Sequence, residues 1–80
     1  MEGVHGHRYK EHTITIFTDE SHGSCTARFS VSKMTNGTSE AVILPQQYQE
    51  AAAQPFKDGF EAIKKINAMI EGWIDNQLTK

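Results

Sequence analysis

His5 and His7 stand two residues apart, with His12 and His22 further along the chain. Imidazoles at that spacing on a strand point to the same side and can share one metal ion. A stable site takes three or four ligands on rigid elements, however, and this pair lies in a Gly- and His-rich stretch from Met1 to His7 without periodicity. No metal and no cofactor are expected. Cys25 and His22 are close enough in sequence to invite a nucleophile and base reading, but a turn residue and an inward strand residue point apart. As the only cysteine, Cys25 can form neither an intrachain disulfide nor a Cys-based zinc knuckle, and it reads as a small buried hydrophobe. Asp19 and Glu20 read as solvated turn residues. No catalytic residue is expected, and an enzyme is not the reading these residues favour.

A nucleic acid would meet Arg28, Lys33, Lys64 and Lys65, with Lys64 and Lys65 on the outer face of a helix among Glu61, Glu71 and Asp75. The formal net charge of -2 and a sequence pI near 6.0 argue against a dedicated nucleic-acid binder, whose phosphate contacts need clustered Lys and Arg. Tyr9 and Phe17 could stack bases, but no Arg or Lys is interleaved with them.

The elements that would position these residues are easier to read. From Phe56 to Leu78 an apolar stripe of Phe60, Ile63, Ile66, Met69, Ile70, Trp73, Ile74 and Leu78 follows helical spacing. The helix opens at an Asp58 cap, with Glu61 placed to return the bond in a capping box. The stripe predicts Trp73 largely buried on a sheet, with Ile66 and Ile70 beside it.

Three strands precede the helix. The first spans about Tyr9 to Thr18, is dense in β-branched residues, and is apolar on both faces, so its inward side stays open. A turn over Asp19 to Ser24 leads to a second strand, about Ser24 to Met34, with Cys25, Ala27, Phe29 and Val31 inward and Thr26, Arg28, Ser30 and Ser32 outward. Asn36-Gly37 then marks a two-residue hairpin. Pairing Thr35 with Thr38 sets Val31 opposite Val42, Phe29 opposite Leu44, and Ile43 beside Ser30 on the outer face. Pro45 should end regular pairing, and Gln46 to Pro55 reads as strand continuation, loop, or a turn of helix near Glu50 to Gln54.

An acidic turn, the run Gly23-Ser24-Cys25-Thr26-Ala27-Arg28-Phe29, a helix opening Asp58-Gly59-Phe60-Glu61-Ala62 and a close at Gly72-Trp73-Ile74-Asp75 together resemble a group of short, uncharacterised bacterial β-β-β-α proteins. More distantly the chain is similar to the HicB antitoxin half-fold, in which a G-x-x-A-x-F strand precedes a helix opening Glu-Ala. The resemblance covers about Tyr9 to Leu78 and implies the same fold, with no activity, cofactor or catalytic residue attached.

The expectation is a single α+β domain over residues 9–80, a three-stranded antiparallel meander with one long C-terminal amphipathic helix on one face, after a flexible N-terminal segment over residues 1–8. No basic-then-apolar signal pattern and no apolar run near ~20 residues is visible, which makes a reducing cytoplasm the expected setting and a membrane an unexpected partner. The favoured function is a small non-catalytic protein-interaction or regulatory module, meeting a protein partner or a second copy of itself as a weak homodimer. Ile14, Ile16 and Ile43 would form the interaction surface, because they cannot all reach one core. The alternative is a weak nucleic-acid-binding module, of double-stranded-RNA-binding or antitoxin type.

Overall fold

Three two-residue turns organise the sheet. Lys10-Glu11, His22-Gly23 and Asn36-Gly37 all have positive φ at both positions, at 48° and 68°, 52° and 79°, and 51° and 79°. That is the type I′ geometry whose twist matches the strands it joins. In the computed structural model, which describes residues 2–78, these turns connect β1 (Glu2–Tyr9), β2 (His12–Ser21), β3 (Ser24–Thr35) and β4 (Thr38–Val42) in one antiparallel sheet of order β1-β2-β3-β4. Met1, Thr79 and Lys80, which belong to the expected lead-in and domain, lie outside the described residues.

The sheet therefore has four strands where three were expected. Residues Glu2 to Tyr9, read as a lead-in segment, pair along their whole length with β2, from Glu2 opposite Asp19 to Tyr9 opposite His12. The strand expected over Tyr9 to Thr18 is split by the Lys10-Glu11 turn, and its main part, β2, is an interior strand with β1 at the edge. The register at Asn36-Gly37 is the expected one, with Thr35 opposite Thr38 and Val31 opposite Val42. It stops there. β4 ends at Val42, so Phe29 is not paired with Leu44, which is buried in the connection that follows. Ile43 is exposed, as expected.

Alternation fixes the two faces. His12, Ile14, Ile16 and Thr18 on β2 and Cys25 and Val31 on β3 are buried under the helical layer, with Ala27 and Phe29 half-buried between them. Ile14 opposes Val31 and Ile16 opposes Phe29, so both β2 isoleucines point to the core side. Thr13, Thr15, Phe17, Thr26, Arg28 and Ser30 line the other face.

Two helices cover the inner face. α1 (Gln46–Ala52) resolves the open Gln46 to Pro55 region as a helix beginning right after Pro45, whose fixed φ suits a helix entrance. Ala52 buries against the core, and a short bridge of Cys25 N–H to Phe56 O (2.8 Å) and Phe56 N–H to Cys25 O (2.7 Å) ties the next segment to β3. α2 (Gly59–Leu78) then runs across the sheet. Its buried line is Gly59, Ala62, Ile66, Ile70 and Ile74, stepping by three and then four residues, with Ile63, Met69 and Trp73 half-buried at the flanks. Trp73, expected to be largely buried, is only half-buried, and Phe60 and Leu78 of the expected stripe, roughly 100° around the helix from the middle of that line, are exposed.

The start of α2 is held twice. Asp58 Oδ1 accepts the Glu61 N–H at 2.8 Å, as expected of the cap. Glu61 returns a bond to the Lys57 N–H at 3.2 Å, one residue earlier than a capping box would place it. Glu20 at the end of β2 accepts the Gly59 N–H at 2.9 Å, satisfying a first-turn donor that has no partner within the helix.

Candidate functional site

The side chains that could do chemistry are distributed by this alternation. Odd-numbered residues of β1 face α2, so Gly3, His5, His7 and Tyr9 line one side of the strand, half-buried, while Glu2, Val4, Gly6 and Arg8 face out. A two-residue step on a strand is about 6.7 Å and a four-residue step on a helix about 6 Å, so β1 and α2 meet in near register. His7 Nε2 donates to Glu71 Oε2 at 2.7 Å, and one rung along, Tyr9 Oη donates to Asp75 Oδ1 and Oδ2 at 3.0 Å. Lys10, in the turn, reaches the same carboxylate at 2.6 Å and lies 5.2 Å from the Tyr9 ring centroid. His12 is buried with its Nδ1 donating to the Lys10 carbonyl at 2.9 Å, which fixes the turn from inside.

These bonds make a polar seam that attaches the edge strand to the helix. Lys10, and then Tyr9, hold the Asp75 carboxyl below the usual carboxylate range, and Asp75 in turn holds the Lys10 ammonium above the usual lysine value. A lowered carboxylate contributes stability above its unfolded pKa and loses it as pH falls through the folded value. A raised lysine contributes below its unfolded pKa and loses it as pH rises through the folded value. Thermal unfolding from neutral pH downward should therefore show a stability loss below about pH 4 that is smaller in Asp75→Asn, with the difference between the two proteins shrinking as acid protonates Asp75.

The separate sequence candidates do not converge. His5 and His7 share a face on β1, but His7 is committed to Glu71, and among the described residues no group of three or more His, Cys, Asp and Glu side chains is placed to hold a metal ion. His22 is exposed in its turn, whereas Cys25 is fully buried and burial pushes its thiol up, away from the reactive thiolate. Glu20 is a helix anchor at Gly59, a role that no local sequence signal shows.

Arg28 lies on the outer sheet face, its guanidinium 4.7 Å from the Phe17 ring centroid, while Lys64 and Lys65 are exposed on α2, on the opposite side of the molecule. Lys33 is near the β3–β4 hairpin, opposite Glu40, and Lys65 lies 3.8 Å from Glu61. The four cations expected to meet a nucleic acid thus do not form one surface, only Lys64 and Lys65 being neighbours. The expected interaction surface of Ile14, Ile16 and Ile43 is also corrected: Ile14 and Ile16 are fully buried beneath α2, because the register makes them the partners of Val31 and Phe29, and only Ile43 is exposed.

What remains open is the rim of the sheet. In a type I′ hairpin the residues flanking the turn exchange backbone bonds, so Tyr9, His7, His5 and Gly3 bond to β2. The N–H and C=O groups of Glu2, Val4, Gly6 and Arg8 point away from it along the free edge. Among the described residues no backbone bond outside the sheet pairs reaches any of these four. The other edge, β4, is shorter, at five residues against eight. An open depression of about 390 Å³ on the outer face adjoins β1 and is lined by Val4, Phe17, Arg28 and their neighbours.

No family model, curated protein or solved structure matches this chain. No helix among the described residues is long and apolar enough to cross a membrane.

Proposed function

We propose that this protein is a small non-catalytic interaction module that engages protein partners by adding an extended strand to the free edge of β1. The observation that carries the reading is the row of outward-facing backbone groups at Glu2, Val4, Gly6 and Arg8, to which no other backbone bonds among the described residues, on a strand without proline. An edge of this kind is a template for another chain unless it is blunted, and strand addition draws affinity from main-chain bonds. A second support is the polar seam to α2, which holds the edge strand in place from its inner side.

The test blocks the edge without touching the fold. Gly6 has open space where a Cβ would lie, and its N–H points outward, so Gly6→Pro removes an edge donor while leaving the β1–β2 bonds intact. Proteins cross-linked to the wild-type chain in its host cell should be lost from Gly6→Pro, whose circular dichroism stays unchanged. Partners retained by a folded Gly6→Pro protein would place the interaction elsewhere.

A further inference from the structure

We infer that the strand added to β1 is β1 of a second copy, paired antiparallel about a two-fold axis at His5. This rests on the edge-binding reading above and names its occupant.

The backbone phase restricts the choice. Since the edge-facing groups belong to even-numbered residues, an antiparallel partner strand must bond even to even across the new seam. The register centred on His5 does so, pairing Glu2 with Arg8 of the second copy, Val4 with Gly6, and His5 with itself. The first two pairings are chemically matched. Glu2 and Arg8 sit on the same outer face at opposite ends of the strand, so the two-fold brings each carboxylate beside a guanidinium, twice.

Val4 and Gly6 add a steric match. Val4 is 71% exposed, a bare apolar side chain on an otherwise polar strand face. Gly6 weakens a strand, yet a Cβ there would meet nothing within 4 Å in its own chain. Setting Val4 of one copy over Gly6 of the other covers the valine and gives the glycine a reason, since glycine in a strand commonly marks close approach by another backbone. The helices also fit. α2 lies chiefly over β2, and the two β2 strands of the joined sheet are three strand spacings apart, about 14 Å. Packed helices need about 8–10 Å, so the His5 and His7 rows have room between them.

Sedimentation equilibrium of the full chain from low to high micromolar concentration, at low salt, tests this directly. Wild type should dimerise reversibly. Glu2→Arg and Arg8→Glu should each weaken the dimer by about tenfold, because two symmetry-related pairs change from attractive to repulsive at about threefold each. The double variant should recover wild-type association, since it restores both pairs with the charges exchanged. These are exposed positions, so folding is not at issue. His5→Cys should form an interchain disulfide on mild oxidation, as directly opposed residues in a non-bonded pair lie about 4.5 Å apart, within disulfide reach. A monomeric wild type, a double variant no stronger than the singles, or no His5→Cys cross-link overturns the inference. A monomeric wild type whose cellular partners are still lost in Gly6→Pro would overturn the self-pairing and leave the edge reading standing.

Discussion

Ile70→Ala should lower the stability of the fold by about 2–5 kcal/mol, while Trp73→Ala, for all the size of its side chain, should cost less. Ile70 is fully buried between Ile66 and Ile74 in the line that α2 presses onto β2 and β3. Its truncation leaves a cavity in the core that the sheet and the helical layer build together. Trp73 is at the margin of that contact, half-buried, so part of its surface is already in water and less is lost with it. Urea unfolding of the two variants side by side decides the order. For a domain of this size an Ile70→Ala loss of that magnitude is a large fraction of the total.

Gly37→Val should be the second most damaging of the substitutions considered, at about 1–3 kcal/mol. Gly37 has a φ of 79° in the Asn36-Gly37 turn, a region that a β-branched side chain resists, although a Cβ there would meet no neighbour. The loss comes from backbone strain and should therefore appear with Gly37→Ala in reduced form. If thermal unfolding shows Gly37→Val at wild-type stability, the turn geometry is wrong.

The comparison of Asn36-Gly37 with Lys10-Glu11 explains what could be read from the sequence. Both are type I′ turns, but only the first is built from residues that favour positive φ. Lys10 and Glu11 do not favour it, and their turn is held by His12, two residues on, which bonds the Lys10 carbonyl, and by Asp75, 65 residues away, which accepts from Lys10. No local signal therefore marks the first hairpin. β1 was hidden with it, since its His and Gly residues carry no apolar alternation and it is held by β2 and α2.

The orientation of Ile14 and Ile16 was closer to legible. Taking His22-Gly23 as the turn pairs Ser21 with Ser24, and counting back sets Ile14 against Val31 and Ile16 against Phe29, both on the inward side of β3. That register alone places both isoleucines in the core and leaves no interaction surface at them. The edge at β1 could not have been found by pattern alone, because it exists only once the fourth strand does.

The polar seam between β1 and α2 also bears on the order in which the molecule can assemble. His7 and Glu71 are 64 residues apart in the chain, Lys10 and Asp75 are 65 apart, and Tyr9 and Asp75 are 66 apart. Each hairpin, in contrast, closes through a two-residue turn. On a ribosome the four strands emerge before the 20 residues of α2 and can already pair as neighbours. Until then Ile14, Ile16 and Val31 have no helix over them, and the nascent sheet presents an apolar face to everything around it. This fold is thus most exposed to misassembly in the interval between pairing of its strands and docking of α2, and arrival of Glu71 and Asp75 at β1 closes that interval.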